Sequence, residues 1–431
     1  MRTSSTGPAA SAATNKRVLI ASLMGSSIEW FDYFLYATTA ALVFGKVFFP
    51  TSDPVVGLML SYLTFSLTFF IRPLGGFIFS HIGDRIGRKK TLVITLSLMG
   101  GATVLIGLLP GYEQIGIWAP ILLIVLRLVQ GLGIGGEWGG ALLLAYEYAP
   151  KNRKGLFGSV PQMGVTIGMV LATLAITVMS TLPDDQFLAW GWRVPFLLSA
   201  ILVFLGLWIR KGIDETPAFK QAKASGNVAK IPLVETLRYH WRAVLVAVAI
   251  KFVETAPFYI FSTFIVSYAT ATLGFERISV LNAVTIATLV TTLMIPLMGR
   301  LSDSMGRKRM FVAGTLVMAA FTFPYFMLLE QRTMTSLVIA TVVGLGLVWA
   351  PITAVLGTLF SEIFSTRVRY TGITLGYQIG AALAGGTAPL LATWLLNTYN
   401  GSWVPVAWYI VGTAVISLIG IAFAKTVADN D

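Results

Sequence analysis

GDRIGRKK, Gly83 to Lys90, returns in altered form as SDSMGRKR, Ser302 to Arg309. The acids of the two stretches are 303 − 84 = 219 residues apart in a chain of 431. A second pair keeps nearly the same interval: Glu147 stands before PKNRK and Glu362 before FSTRVR, with 362 − 147 = 215. A correspondence that outlasts one motif means two parallel repeats. Membrane proteins duplicated in this way place cargo at the midplane between the halves and work by rocking one half against the other.

Composition says what the repeats are made of. Hydrophobic residues are 56% of the chain and charged residues 12%, with mean hydropathy +0.78, more apolar surface than a water-soluble core absorbs. Apolar stretches fit to cross a bilayer are read at about 18–44, 55–82, 91–109, 118–146, 155–181 and 194–209, then at 243–269, 278–298, 310–329, 336–360, 371–396 and 404–424. The expected fold is an all-α membrane protein with twelve transmembrane helices in two pseudo-symmetric six-helix bundles. Its expected divisions are a tail at 1–17, a first bundle at 18–209, a polar central loop at 210–240, a second bundle at 241–424 and a tail at 425–431. The first span is longer than a secretory signal's apolar region and carries acids, so it is read as an uncleaved helix.

A net charge of +12 raises the question of a nucleic-acid partner, and the placement of the cations answers it. Arg2, Lys16 and Arg17, then Arg85, Arg88, Lys89 and Lys90, then Lys151, Arg153 and Lys154, and the central-loop cations all fall at one end of the spans. The loops at the other end hold only Lys46, Arg193, Arg277 and Arg332. The charge is topological, so no nucleic acid is expected, and both termini and the central loop are expected on the cytoplasmic side of the cell (plasma or inner) membrane. With no cysteine and two histidines, His81 and His240, no metal site or other cofactor is expected.

Seven charged residues fall inside the spans: the cations Arg72, Arg127 and Lys251, and the acids Glu29, Asp32, Glu137 and Glu254. A charge at mid-depth costs roughly 2.5–3.5 kcal/mol even on lenient insertion scales, so each should face a wet cavity or an opposite charge. In SSIEWFDYFLYA, residues 26–37, helical spacing puts Glu29, Asp32 and Tyr36 on one face with Tyr33 beside it. Asp32, assisted by Glu29, is the candidate proton carrier. Arg127 lies near the depth of Asp32 and is its expected partner, either holding the ionised acid or binding a cargo carboxylate, with Gln130 three residues on. Arg72 and Glu137 are the expected second pair, structural or functional. Lys251 and Glu254, also three apart, can neutralise one another or wall the cavity from the second half. Tyr33, Tyr36, Gln162, Tyr259, Trp349, Tyr377 and Gln378 are further candidate lining residues. Gly131, Gly133 and Gly136 formally spell a dinucleotide fingerprint, but no strand precedes them and they lie inside a span, so they are read as small residues for close helix packing. Three cations against four acids balance when one acid is protonated, which suits a monoanion carried with one proton.

The repeated loops carry chemistry as well as topology. Asp84 and Asp303 sit where an acid can meet the positive N-terminal end of a neighbouring helix, the eleventh for Asp84 and the fifth for Asp303. Arg88 and Arg307 can reach Glu147 and Glu362. With Arg85 and Arg367 these residues form the expected cytoplasmic gate. Solvated loop charges are the alternative, but a positive-inside bias requires neither the aspartate nor the glycine.

At these residues the chain resembles the major facilitator superfamily, whose signature joins Asp, Gly and several cations after helices two and eight. More narrowly it resembles the metabolite:proton symporters, in IEWFDYFLYATTAALVF (28–44), IRPLGGFIFSHIGDRIGRKK (71–90), RLVQGLGIGGEWGGA (127–141), WGWRVPF (190–196) and ETPAF (215–219). The resemblance covers essentially the whole chain. It implies a gate cluster that favours the outward-open state, and cargoes that in the family span shikimate-like acids, oxoacids, tricarboxylates and betaines. Lys425 to Asp431 carry neither the long coiled coil of the osmosensing betaine branch nor the Pro-, Glu- and Thr-rich ending of sugar porters. The expected function is import of a small organic acid with protons, by a monomer whose partners are the metabolite, protons and the lipid bilayer. A zwitterion symporter and an uncoupled facilitator or exchanger are the alternatives. A membrane enzyme or scramblase belongs to another class, and no nucleophile with an adjacent base supports it.

Overall fold

The computed structural model describes residues 12–86, 88–135, 145–146, 149–150, 152–211, 233–365 and 368–425, and every regular element among them is helical. Mid-bilayer offers no water to bond a free N–H or C=O, so each crossing segment must satisfy its own backbone. The first half contains α1 (Ala12–Thr39), α2 (Pro54–Ile86), α3 (Arg88–Leu108), α4 (Trp118–Ile134), α5 (Lys154–Met179) and α6 (Arg193–Lys211). The second contains α7 (Trp241–Thr272), α8 (Arg277–Met305), α9 (Arg307–Glu330), α10 (Met334–Ile363), α11 (Thr371–Thr398) and α12 (Val404–Phe423). Nine of these are long and apolar enough to span a membrane, and α3 and α4 contribute shorter apolar stretches, Val93–Leu108 and Trp118–Ile134. With acid-bearing α1 the chain has the twelve helices its sequence predicts. A short helix, Leu233–Tyr239, leads into α7.

The repeated motifs are tighter than open loops. Gly83 to Ile86 continue α2 and Arg88 opens α3. In the second copy α8 runs to Met305 and α9 begins at Arg307, so Gly306 alone turns the chain, at φ +89°. A side chain there would collide with its own backbone, which is why the motif has glycine at this position.

Several helices loosen into π-helical turns. One follows α1 at Ala40–Phe44, and others interrupt α7 at Ile260–Phe264, α10 at Val342–Trp349 and α11 at Ala381–Gly386. Pro257, Pro351 and Pro389 sit beside the last three, each removing an N–H and crowding the preceding turn. The π turns of α1 and α7 are 260 − 40 = 220 residues apart, within one residue of the motif interval, so the halves repeat an irregularity as well as a sequence.

Small residues set how closely the helices approach. A Cβ at Gly135 would lie 2.1 Å from the Arg72 carbonyl oxygen, and one at Gly131 would lie 2.8 Å from that of Thr68, so α4 rests directly on the backbone of α2. Gly168 makes the same contact between α5 and α1, with a Cβ 2.7 Å from the Ser27 carbonyl. The halves meet largely through α5 on α8 and α2 on α11. The α5–α8 seam is a ladder of hydroxyls, Thr285 to Thr173 at 2.9 Å and Thr292 to Thr166 at 2.7 Å, the polar glue expected where no hydrophobic effect drives helices together. Gly135→Ala is expected to force α2 and α4 apart and to destabilise the protein by about 1–3 kcal/mol, as overpacking does. Thermal unfolding in detergent measures this, and an unchanged melting temperature would mean the seam is looser than described.

Candidate functional site

The intramembrane cations of α2, α4 and α7 converge where the two halves meet, while Asp32 of α1 lies against α3 and α6. Asp32 and Arg72 are 1% exposed, Arg127 0% and Lys251 1%, so neither face of the membrane reaches them in this conformation. Aromatic rings fill the space between: Trp30, Tyr33 and Phe34 of α1 and Phe65 and Phe69 of α2 meet Phe258 and Tyr259 of α7. Phe34 contacts Phe258 at 5.7 Å between centroids, and Tyr33 contacts Tyr259 at 6.2 Å.

Each buried cation lies over a ring. Arg127 Cζ is 3.5 Å from the centroid of Tyr36, Arg72 Cζ is 4.3 Å from that of Phe69 and 4.6 Å from that of Tyr33, and Lys251 Nζ is 3.7 Å from that of Tyr377. Desolvated cation–π contacts contribute about 2 kcal/mol or more, which offsets part of the cost of burying three positive charges together. In the second half, Lys251 also pairs with Glu254. The Glu254 carboxylate further accepts from Thr255 at 2.8 Å and from Thr353 at 3.1 Å, and Trp349 donates to its main-chain oxygen at 2.5 Å. Gln162 of α5 then donates to Thr353 at 2.8 Å. The pair that the sequence offers as mutual neutralisation or as a cavity wall is thus one end of a network crossing from α7 through α10 to the other half.

Asp32 and Arg127 do not pair, which corrects the expected partnership. The Arg127 guanidinium is occupied otherwise: Nη1 donates to Gln130 Oε1 at 2.7 Å, Nη2 and Nε approach the Phe65 and Thr64 carbonyls at 3.4 and 3.5 Å, and its face covers Tyr36, whose hydroxyl is bonded to Thr64 at 2.6 Å. Neither carboxylate oxygen of Asp32 has a hydrogen-bond partner of good geometry among the described residues. Its polar neighbours are the hydroxyls of Thr103 and Ser199, each also within hydrogen-bond distance of a main-chain oxygen, Thr103 of Met99 at 3.0 Å and Ser199 of Phe196 at 2.8 Å. Gln130 Nε2 donates to Thr103 at 2.7 Å. Arg127, Gln130 and Thr103 therefore form a chain that ends beside Asp32.

Of the other candidates, Glu29 is only half-buried, while Gln378 is buried with its side-chain oxygen unpartnered among the described residues. Glu137, the expected partner of Arg72, lies outside the described residues, as do Glu147, Arg367 and the side chains of Asp84, Arg85 and Arg88. In the second copy of the motif, Asp303 Oδ1 accepts from the Gly155 N–H at 2.7 Å and Oδ2 from that of Leu156 at 3.2 Å, at the N-terminus of α5. Arg307 donates to Asp303 at 2.9 Å and stands 3.4 Å from Glu362. A Cβ at Gly155 would lie 2.4 Å from the Gly299 carbonyl and 2.9 Å from Asp303 Oδ1, so glycine is what lets the acid reach the helix end. At the opposite membrane face, Arg277 bonds Asp184 and Ser180, each at 3.0 Å, and nearer the middle Tyr62 meets Ser267 across the halves at 2.7 Å. Sequence reading missed Thr103, Ser199, Thr353, Tyr62 and Ser267. A lone hydroxyl in an apolar span has no distinguishing signal; only the neighbours that folding brings reveal it.

Two repeated six-helix bundles closing over buried charges define a membrane transporter, and the chain belongs to the major facilitator superfamily. Residues 18–231 match the family described as sugar (and other) transporter, and residues 248–430 match the Major Facilitator Superfamily itself. Among its relatives is the shikimate transporter of Escherichia coli K12, 40% identical over 95% of this chain and 94% of that protein. Another is the glycine betaine/proline/ectoine/pipecolic acid transporter OusA of Dickeya dadantii, 36% identical over 96% of this chain and 84% of that protein. The fold matches the xylose transporter XylE from E. coli in its partially occluded inward-open conformation, with a TM-score of 0.74 at 18% identity over 97% and 99% of the two chains. The chain is a multi-pass membrane transporter of metabolites.

Proposed function

We propose that this transporter imports a small organic acid together with protons, with Asp32 as the proton carrier and both termini in the cytoplasm. One observation carries the reading: among the described residues a wholly buried carboxyl has only the hydroxyls of Thr103 and Ser199 beside it and no cation. Leaving a carboxylate in such a place costs several kcal/mol, whereas a neutral carboxyl can donate to either hydroxyl. The conformation suits the protonated carrier. When the proton leaves, Arg127 is the cation at hand, and it reaches Asp32 by giving up Gln130 and the face of Tyr36. One guanidinium with two sets of partners, chosen by the charge on Asp32, links protonation to the packing of α1, α2 and α4. No bound cofactor takes part; the proton gradient drives the cycle, and a monomer is sufficient for it.

The shikimate-transporting relative supports an acid as cargo, and the betaine-transporting relative supports a zwitterion. A quaternary ammonium needs open aromatic faces. Here the rings of Tyr36, Phe69 and Tyr377 are already covered by the protein's own cations, which favours the acid. In proteoliposomes with shikimate as probe, an imposed inward pH gradient is expected to drive accumulation above equilibration. Equal uptake with and without the gradient would leave a facilitator or exchanger and overturn the coupling.

A further inference from the structure

Of the three cations buried in the spans, Arg72 is the one with two donors that lack an acceptor among the described residues. Lys251 has Glu254, and Arg127 has Gln130 and two carbonyls, but Nε and Nη2 of Arg72 bond to nothing. These two nitrogens form one edge of the guanidinium, and two parallel N–H groups on an edge are the fork that a carboxylate accepts in bidentate fashion. The ring beneath is Tyr33, whose hydroxyl also lacks a bonding partner and stands beside Arg72 and Tyr259. Two guanidinium donors and a hydroxyl therefore converge with no carboxylate or carbonyl bonded to any of them among the described residues.

We propose that the Nε/Nη2 edge of Arg72, with the Tyr33 hydroxyl, is the seat of the cargo's carboxylate. The inference deepens the organic-acid reading given above and rests on it. The position suits the task. Arg72 acts electrostatically on Arg127 and Tyr33 of the first half and on Lys251, Tyr259 and Tyr377 of the second, so an anion placed on it is shared by both halves. Trp30, Tyr33 and Phe69 wall the guanidinium at 5.7, 4.6 and 4.3 Å, and Gly386 of the α11 π turn packs on Phe69 with room for no more than a hydrogen. In this conformation the seat is collapsed, and the α11 turn must move off Phe69 to open it. A bound carboxylate replaces the missing acceptor, and no desolvation of the cation remains to be met, because it is already dry. Arg127 stays free to answer the charge on Asp32, so cargo and proton act through separate cations.

The test is ligand-induced thermal stabilisation of the full chain in detergent or nanodiscs, using shikimate, its methyl ester and glycine betaine as probes, on the wild type, Arg72→Gln and Arg72→Lys. Shikimate is expected to raise the wild-type melting temperature and the ester is not. Arg72→Gln should weaken shikimate binding on the order of a hundredfold, as truncating one side of a buried charge pair does. Arg72→Lys should keep a smaller share, since an ammonium is a point charge without a fork. Without ligand, Arg72→Gln should melt no lower than the wild type. If glycine betaine rather than shikimate stabilises the wild type, the carboxylate belongs to a zwitterion and the same dependence on Arg72 is expected. Wild-type affinity in Arg72→Gln, or no response of the wild type to either carboxylate, overturns the seat. So does a matching drop in unliganded stability in Arg72→Gln and Glu137→Gln, which would make Arg72 half of a structural ion pair. Arg72-dependent binding without uptake driven by a pH gradient would instead overturn proton coupling and leave the seat standing.

Discussion

Asp32→Asn is expected to abolish accumulation driven by a pH gradient while sparing exchange of labelled for unlabelled cargo. The amide keeps the size of the carboxyl, can donate to Thr103 or Ser199 as a protonated acid can, and stays neutral at every pH. It imitates a carrier that never releases its proton. For one proton per cargo, each pH unit sustains about a tenfold concentration ratio, and in the variant that ratio should fall to one. Exchange needs only the loaded carrier to reorient, so it should survive. Accumulation at the wild-type level by Asp32→Asn would remove Asp32 from the proton's path.

Asp303→Ala is the second large effect, through populations rather than chemistry. The carboxylate accepts two backbone N–H groups at the start of α5 and one N–H of Arg307, so its loss unlocks the α5–α8 seam at the end that carries the repeated motifs. Hydrogen bonds to a charged group contribute about 1.5–3 kcal/mol, and a loss of about 2 kcal/mol moves the balance between two states roughly thirtyfold. Alternating access needs both states, so turnover should fall steeply while the protein still folds. Reporters across the seam, for instance spin labels at Asn152 and Arg300, both near this corner, should show a broader and longer distance distribution in the variant. An unchanged distribution would make Asp303 a solvated loop charge. Asp303→Asn should recover part of the effect, since the amide oxygen can still accept from one N–H.

Most of the architecture is legible in the sequence because the membrane makes it so. Each half must supply whole apolar helices, and the repeated motif with its glycine turn fixes where two of them end. The glycines of α4 could be read as packing residues because no strand precedes Gly131, Gly133 and Gly136 and all three lie inside a span. The site is less legible. Depth along a helix put Arg127 beside Asp32, but depth does not say which way a long side chain turns, and Arg127 turns to Tyr36 and Gln130 instead. Thr103 and Ser199, which come to Asp32 from α3 and α6, have no pattern of their own. Lys251 and Glu254 were readable as a pair from their spacing. Their onward links through Thr353 to Gln162 depend on α10 and α5 meeting, and no local rule states that.

In the proposed cycle a proton travels with the cargo by way of Asp32. The direct measurement is the external pH of weakly buffered proteoliposomes, taken as the acid that stabilises the wild-type protein is added. Wild-type vesicles are expected to alkalinise the medium in step with uptake, and Asp32→Asn vesicles to leave it unchanged. Cargo entry by the wild type without movement of protons, or an unaltered pH signal in Asp32→Asn, would contradict it.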